Sequence, residues 1–413
     1  MGWAGCAMLA PAADFAIKDG DTVVFYGDSI TDQRLYTSFT ESYIVTRFPQ
    51  LHVKFVHSGW GGDRVTGGGG GPVELRIQRD VLAYKPTVVT IMLGMNDGRY
   101  RASDPETVGA FTAGSADIVK RLKKSLPGVR ITEIEPSPYD DVTRAPLFEG
   151  GYNAVLVQYG GYLKELAKSE NLTVADLNTD VVAALQKANV TDPVNAQKII
   201  PDRVHPGAAG HLLMAEALLK AWGAPAVVSE VEIDAAAGTA TQSAGAEVTA
   251  VQTKAKGVTW TQTDAALPMP VDWNDPLIKL ATGSSDFVDA LDREPLRVKG
   301  LAPGTYALSI DGLAVGSFSA EQLSGGINLA TLQTPMLTQA LDVAKLTVNH
   351  NNVHFARWRT LQVPLEKFNL GSLPAAMTSL DAVEDEVVTL QHAAAQPKPH
   401  HYEVGPLSAP GVP

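Results

Sequence analysis

The strongest constraint on the fold is an alternation of short apolar runs with longer amphipathic runs between residues 21 and 222. The apolar runs place Val, Ile and Phe at consecutive positions, as strands do when a parallel sheet buries both of their faces. The predicted strands are Thr22 to Tyr26, His52 to His57, Thr87 to Leu93, Arg130 to Glu135 and Thr173 to Asp176, and the predicted helices are Glu41 to Phe48, Pro105 to Leu126, Tyr152 to Ser169, Val181 to Ala188 and Ala208 to Trp222. This pattern predicts a three-layer α/β/α sandwich with a five-stranded parallel sheet, whose ligands bind at the carboxyl ends of the strands.

The chain extends well beyond this region of alternating runs. It has 413 residues, whereas a single hydrophobic core usually stops growing at roughly 250 to 300 residues. After Gly223 the sequence becomes rich in Ala, Thr, Ser and Gly with β-branched alternation, which predicts a β-rich C-terminal extension. Within it, Asp311-Gly312 indicates a hairpin between two alternating runs, and Lys345 to Val363 is interpreted as a second hairpin that turns at Asn349 to Asn352. A last helix is predicted at Leu380 to Ala395.

These features divide the chain into four parts. We expect a possible signal-peptide remnant at residues 1–13, a catalytic domain at 14–226, a β-rich region ending in a helix at 227–396, and a Pro-rich tail at 397–413. The first part is apolar and ends in small residues, although it lacks the positive start of a complete signal, and it predicts a secreted or periplasmic protein. Ala4-Gly5-Cys6 leaves a lipoprotein cleavage site as the alternative.

Charge and cysteine content exclude several classes of partner and cofactor. The formal net charge is -12, so we do not expect a nucleic-acid partner. Cys6 is the only cysteine, which rules out an intrachain disulfide and a thiolate zinc cluster. No later run reaches the ~18 apolar residues that span a bilayer, so no membrane span is expected.

Two short motifs follow the first two predicted strands. Gly27-Asp28-Ser29-Ile30 places a serine hydroxyl where a strand passes into a helix, a position suited to a nucleophile but also to an ordinary helix cap. Gly59-Trp60-Gly61-Gly62-Asp63 contains glycines that let a backbone N–H approach a ligand closely, although a tight turn would explain them equally. Each motif alone is weak evidence for a site.

Two further motifs complete a possible site. Gly94-Met95-Asn96-Asp97 places an amide side chain at a strand end, where it could donate to a developing negative oxygen or simply form a turn. In Asp202-Arg203-Val204-His205, the carboxylate could hold one imidazole nitrogen while the other faces a serine. The four motifs together supply a nucleophile, a base, a group that orients the base, and oxyanion donors.

The same four motifs resemble the successive blocks of the SGNH (GDSL-type) hydrolases, and the resemblance covers about Asp21 to Trp222. It implies a flavodoxin-like sandwich and a carboxylic ester hydrolase that needs no metal or organic cofactor. It further implies Ser29 as nucleophile, His205 as base and Asp202 as its orienting group. The oxyanion would be bound by the backbone N–H groups of Ser29 and Gly62 and by the Asn96 side chain, with Gly61 as the alternative to Gly62.

The resemblance favours a short-chain acyl ester, especially an acetyl ester of a small molecule or a carbohydrate. A thioesterase, an acyltransferase or a lipase on the same triad, and a non-catalytic carbohydrate-binding module, are the alternatives. Asp28, Trp60 and Tyr100 are candidates for substrate contact, and Trp260 is a further aromatic candidate. His350 and His354 are spaced as strand residues and are not interpreted as metal ligands. The sequence makes no prediction of the oligomeric state.

Overall fold

The first half of the chain forms a parallel sheet covered by helices. The computed structural model describes residues 15–407. The strands of this half are β1 (Thr22–Gly27), β2 (Lys54–Gly59), β3 (Gly67–Gly68), β4 (Gly71–Pro72), β5 (Val88–Met92), β6 (Arg130–Ile134) and β7 (Thr173–Ala175). Its α-helices are α1 (Ser29–Asp32), α2 (Leu35–Arg47), α3 (Val73–Asp80), α4 (Pro105–Ser125), α5 (Gly151–Glu170), α6 (Leu177–Thr191), α7 (Pro193–Ala196) and α8 (Ala208–Ala221). A 3₁₀ turn covers Leu82–Tyr84.

The central sheet confirms the predicted fold class. Its strand order is β2-β1-β5-β6-β7, and every pair is parallel. One group of helices packs α2 on α8 and α8 on α6, while another packs α4 on α3 and α5. All five predicted strands are present within two residues of their predicted limits, because long runs of buried Val and Ile mark them clearly. Helix α2 begins six residues before the prediction because its buried first turns carry Thr and Ser, which hide the apolar period.

The second half contains two further sheets. Its strands are β8 (Glu230–Asp234), β9 (Thr239–Ala244), β10 (Ala246–Lys254), β11 (Gly257–Asp264), β12 (Pro295–Lys299), β13 (Thr305–Ile310), β14 (Leu313–Ser319), β15 (Ile327–Asn328) and β16 (Pro399–Pro406). An antiparallel sheet has the order β10-β11-β16-β13-β14, and a mixed sheet has the order β15-β12-β8-β9. A second hydrophobic core lies between these elements. The β-rich extension is therefore confirmed, and so is the hairpin at Asp311-Gly312, where both residues have positive φ as a two-residue turn requires.

Helices complete the second half. They are α9 (Pro276–Ser284), α10 (Phe287–Leu291), α11 (Ala320–Gly325), α12 (Pro335–Phe355), α13 (Val363–Leu365) and α14 (Leu373–Ala394). A π-helix covers Ala356–Gln362, directly after α12, and 3₁₀ turns cover Leu329–Thr331 and Glu366–Phe368. Helices α12 and α14 pack on each other, and α12 also packs on α2, so this helical pair joins the two halves.

The hairpin predicted across Lys345 to Val363 is wrong, because this segment is helical in α12 and the following π-helix. The buried face of α12 continues through Thr347, His350, Asn351 and His354, whose spacing follows the helical period. These buried residues are polar, so a search for apolar periodicity misses them. The predicted turn residues lie within the helix.

The predicted Pro-rich tail from residue 397 is also corrected. Strand β16 lies between β11 and β13, in the middle of the antiparallel sheet. His400, Tyr402 and Val404 are buried on one face while their neighbours are exposed, which is the alternation of a strand. Pro399 and Pro406 lie at the two ends of this strand, and because proline is uncommon in central strands they led to the prediction of a tail. The last predicted helix is present as α14, which begins at Leu373, seven residues earlier than expected.

The predictions for residues 1–13, including the signal remnant and the Cys6 lipoprotein site, lie outside the described residues. Export from the cytoplasm therefore stays a prediction. Among residues 15–407, no helix combines the length and apolar character needed to cross a bilayer.

A buried polar cluster lies where α2 meets α12 and α14. His350 on α12 contacts two carboxylates: its Nδ1 lies 2.9 Å from Glu41 Oε1, and its Nε2 lies 3.2 Å from Glu384 Oε1. Glu41 also accepts hydrogen bonds from His57 Nε2 and from Gln391 Nε2, each at 2.9 Å. These side chains are almost completely buried. The cluster therefore connects the helical pair to the catalytic half by charge as well as by packing.

Candidate active site

Ser29 lies at the carboxyl edge of the sheet, where β1 passes into α1. Asp28 caps this short helix, and its carboxylate accepts the N–H of Ile30 at 3.0 Å. Position 27, directly before Asp28, requires glycine because a Cβ added there would lie 2.2 Å from the Thr31 hydroxyl oxygen. The tight turn at the strand end thus presents the Ser29 side chain at the edge where a ligand binds in this fold.

The loop before α8 brings His205 to this serine. His205 Nε2 lies 2.9 Å from Ser29 Oγ, and His205 Nδ1 lies 2.8 Å from Asp202 Oδ2. The other carboxylate oxygen of Asp202 accepts the backbone N–H groups of Val204 and His205, at 2.9 and 2.7 Å. Burial alone would raise the pKa of Asp202, but these hydrogen bonds outweigh it and lower the pKa. A charged Asp202 can therefore orient the ring and stabilise a proton on it.

A second histidine, His211, is linked by hydrogen bonds to the loop that carries His205. His211 is buried, and burial lowers its pKa to about 3, so the ring is neutral. Its Nδ1 accepts the backbone N–H of Tyr36 at 3.2 Å, so the proton is on Nε2, which donates to Gln33 Oε1 at 3.1 Å. Gln33 Nε2 in turn lies 3.4 Å from the carbonyl oxygen of Pro206. This chain of hydrogen bonds connects α8 to the residue that follows His205.

The loop that contains Gly61 and Gly62, called the glycine loop below, follows β2 and lies against Ser29. A side chain at Gly61 would begin 4.0 Å from Ser29 Cβ. The backbone N–H of Gly61 donates to Asp32 Oδ2 at 3.2 Å, whereas the N–H of Gly62 has no partner among residues 15–407. Gly62 has a φ of +77°, which favours glycine at this position. Of the two candidates, Gly62 is the one with an N–H available for an oxyanion.

Asn96 follows β5 at the same edge of the sheet. Its amide nitrogen donates to the carbonyl oxygen of Asp63 at 3.0 Å, and its Oδ1 accepts the hydroxyl of Tyr100 at 3.0 Å. These two bonds orient the amide and, within residues 15–407, leave one of its N–H groups without a partner and able to donate. Burial, followed by nearby charged carboxylates, raises the pKa of Tyr100 to about 12, so the phenol remains a donor.

Two of the predicted substrate contacts, Asp28 and Trp260, need correction. Asp28 is only 1% exposed and caps α1, so burial removes it from contact with a substrate. One face of the Trp60 ring is covered by the guanidinium of Arg359, whose Cζ lies 3.2 Å from the ring centroid, but the side chain is partly exposed and Trp60 stays a candidate. Trp260 is completely buried in the second core and stacks on Tyr402. Tyr100 is 42% exposed and remains a candidate, although its hydroxyl is engaged by Asn96.

The residues that sequence reasoning missed are Gln33, His211 and Arg359. Gln33 and His211 form the hydrogen-bond chain to Pro206, and no motif marks them. Arg359 follows Ser29 by more than 300 residues and lies in the segment that was interpreted as a hairpin, so nothing in the sequence connects it to the site. In the described part of the chain, no group of three or more His, Cys, Asp or Glu side chains is arranged to hold a metal ion.

A serine, a histidine and a carboxylate joined in this order are characteristic of serine hydrolases, which occur on several unrelated folds. Residues 25–213 match the GDSL-like lipase/acylhydrolase family. An acetylxylan esterase of Geobacillus stearothermophilus is 26% identical over 231 residues, which are 50% of this chain and 96% of that relative. The solved structure of a gut microbial diltiazem-metabolizing enzyme has a TM-score of 0.82 and 25% identity, covering 95% of this chain and 98% of that one.

The chain belongs to the SGNH (GDSL-like) hydrolase family through its catalytic half, and it is a carboxylic ester hydrolase. The family assignment made from the four motifs is thereby confirmed. The similarity to the diltiazem-metabolizing enzyme extends beyond the catalytic half and includes the C-terminal sheets and helices.

Proposed function

We propose that this chain hydrolyses short-chain acyl esters, with acetyl esters as the preferred class, through Ser29, His205 and Asp202. The observation that carries the proposal is the pair of hydrogen bonds of 2.9 and 2.8 Å that joins these three side chains in the order of a catalytic triad. The acetylxylan esterase among its relatives supports an acetylated carbohydrate as the substrate. The diltiazem-metabolizing enzyme supports a second candidate substrate, a small non-carbohydrate ester.

The proposed mechanism has two halves. His205 Nε2 takes the proton as Ser29 Oγ attacks the carbonyl carbon, and then gives it to the leaving alcohol as the acyl-enzyme forms. Water next attacks the acyl-enzyme while His205 takes a proton from it, and His205 then returns this proton to Ser29 Oγ as the acid is released. In both halves the tetrahedral oxyanion accepts hydrogen bonds from the backbone N–H groups of Ser29 and Gly62 and from the Asn96 amide.

The acyl preference is tested with p-nitrophenyl esters from acetate to decanoate, with Ser29→Ala as the blank. We expect kcat/KM to be highest for acetate and to fall with chain length. A maximum at octanoate or decanoate would replace the proposal with a lipase-like activity. Acetylated xylo-oligosaccharide and diltiazem, assayed side by side against p-nitrophenyl acetate, then separate the carbohydrate from the small-molecule substrate.

Asn96→Ala tests the oxyanion hole. Losing one preorganised donor should lower kcat by about 10²- to 10³-fold while KM changes little, because the donor acts on charge that develops in the transition state. Tyr100→Phe removes only the hydrogen bond that orients the amide and should cause a smaller decrease. Steady-state kinetics with p-nitrophenyl acetate measure both effects.

The matched control for Tyr100→Phe is Tyr162→Phe, which removes a hydroxyl that donates to the carbonyl oxygen of Thr112 on α4. This control should retain the wild-type kcat. An Asn96→Ala protein with unchanged kcat would remove Asn96 from the oxyanion hole.

A further inference from the structure

The C-terminal half reaches the active-site loop through one arginine. Arg359 belongs to the π-helix Ala356–Gln362, and its guanidinium covers the Trp60 ring at 3.2 Å. Its Nη2 lies 3.7 Å from Asp32 Oδ2, at the end of α1. Only about a fifth of each of these two charged side chains is exposed. The pair is therefore partly shielded from water, where an ionic interaction is stronger than at the surface.

Asp32 connects Arg359 to the glycine loop. The oxygen that faces Arg359 is also the one that accepts the Gly61 N–H at 3.2 Å. Gly61 precedes Gly62, whose N–H is the proposed oxyanion donor, and the loop lies against Ser29. Arg359, Asp32 and Gly61 thus form a continuous path from the C-terminal half to the oxyanion hole.

Arg359 favours the charged form of Asp32. Burial raises the pKa of Asp32, and the guanidinium of Arg359 is the largest influence that opposes the rise. Arg34 and Arg76 also face this carboxylate and act in the same direction with smaller effect. A charged carboxylate accepts a stronger hydrogen bond from Gly61 than a neutral one would.

The segment around Arg359 is also attached by its two neighbours in the chain. The neighbouring Trp358 is buried, and its indole N–H donates to Asp80 Oδ1 at 2.6 Å. Arg357 binds Asp381 on α14 at 2.7 Å. Arg359, in contrast, leaves its buried Nη1 without a hydrogen-bond partner in the described part of the chain, which costs stability. Its contacts with Trp60 and Asp32 are therefore what distinguish Arg359 from these two neighbours.

We propose that Arg359 is a positioning residue for the oxyanion hole, acting through Asp32 and Gly61 on the Gly62 N–H. The C-terminal half thereby completes the active site of the catalytic half. The inference rests on the proposed function, because it assigns an oxyanion role to Gly62.

The test compares wild type with Arg359→Gln, Arg359→Lys, Asp32→Asn and the Arg359→Gln/Asp32→Asn double variant. Misplacing one donor should lower kcat for p-nitrophenyl acetate by about 10- to 100-fold in Arg359→Gln while KM stays within about twofold. Asp32→Asn should have a similar effect, and the double variant should be no worse than the worse single variant. Arg359→Lys should recover part of kcat, because it restores the charge but not the planar stacking on Trp60.

A second readout is specific to the oxyanion hole. A trifluoromethyl ketone adds to the serine and forms an oxyanion, so its inhibition constant should rise in parallel with the loss of kcat. The matched control is Arg357→Gln, which removes an ion-paired arginine two positions away that does not contact the glycine loop. It should keep wild-type kcat and inhibitor affinity even if its melting temperature falls.

The outcomes separate the two proposals. If Ser29→Ala is inactive but Arg359→Gln has the same kcat as Arg357→Gln, the role of Arg359 is refuted and the triad stands. If the wild type does not hydrolyse the ester, or Ser29→Ala retains activity, the proposed function itself fails. If Arg359→Gln does not fold, Arg359→Lys and Asp32→Asn decide the question, and wild-type kcat in both refutes the positioning role.

Discussion

Ser29→Ala should lower kcat for p-nitrophenyl acetate by about 10⁶-fold, and His205→Ala should lower it by a similar factor. The reason is that the two side chains act as a unit across their 2.9 Å contact, so either loss stops nucleophilic attack. The double variant should therefore be no slower than either single variant. Asp202→Asn should lose less, about 10⁴-fold, because it leaves the nucleophile and the base in place but favours the wrong tautomer of the ring.

The measurement needs a control for folding and for trace contamination. Ser103→Ala provides a matched serine, since Ser103 is exposed and its hydroxyl bonds to no group of the described chain other than Gln158 Oε1. This variant should retain wild-type kcat. If the losses in Ser29→Ala and His205→Ala multiplied in the double variant, the two residues would be acting independently and the triad would be the wrong description.

His350→Leu should destabilise the protein by about 3–5 kcal/mol, because it leaves buried carboxylates without their cation. Glu41 is completely buried, and Glu384 is 4% exposed, so neither can recover its hydration without opening the contact between α2 and the C-terminal helices. Urea denaturation at pH 6.5 measures the change in the free energy of unfolding. The effect should appear although His350 takes no part in the chemistry.

The control is Val348→Ala on the same helix, at a side chain that is half exposed, and its effect should stay within about 0.5 kcal/mol. A His350→Leu protein as stable as this control would show that the carboxylates are neutral or hydrated in the folded state. Residual activity in the His350→Leu protein would in addition show whether the catalytic half works when this contact is weakened.

The same cluster determines whether the protein becomes more or less stable as the pH rises. Burial would lower the pKa of His350, but the charges of Glu41 and Glu384 outweigh it and raise the pKa to about 10. Its contribution to stability is therefore complete below the unfolded value of about 6.5 and is lost as the pH rises through about 10. Glu133, whose pKa burial raises to about 8, acts in the same direction. The wild type should accordingly be less stable at pH 9 than at pH 6.5.

Elements that bury continuous apolar runs were predictable. Strands such as β1 and β5 consist almost entirely of buried residues, and any slip would place Val or Ile in water, so their position is clear from the sequence alone. Helix α12 was not predictable in this way. Its buried face is completed by His350 and other polar residues, and their partners lie on α2 and α14, far away in the chain. A polar residue is recognised as buried only when its partner is known.

The same distinction applies to the site. Ser29, Asn96, Asp202 and His205 were identified because each lies in a short motif at the end of a predicted strand or before a predicted helix, where local rules of turn and cap restrict the residue type. Gln33, His211 and Arg359 carry no such local mark. Their roles depend on contacts between segments that are far apart in the sequence, by more than 300 residues for Arg359 and Asp32.

By itself, then, the amino-acid sequence determined the parallel sandwich, the β-rich character of the second half, the family and the candidate triad, because local hydrophobic period and short motifs encode these features. Only the tertiary structure decided that residues 399–406 form a central strand, that Trp60 is covered by Arg359 and that the N–H of Gly61 is already engaged by Asp32. The physical reason is that hydrogen bonds and ion pairs between distant segments leave no period in the sequence, since each partner can be any polar residue that arrives at the right distance.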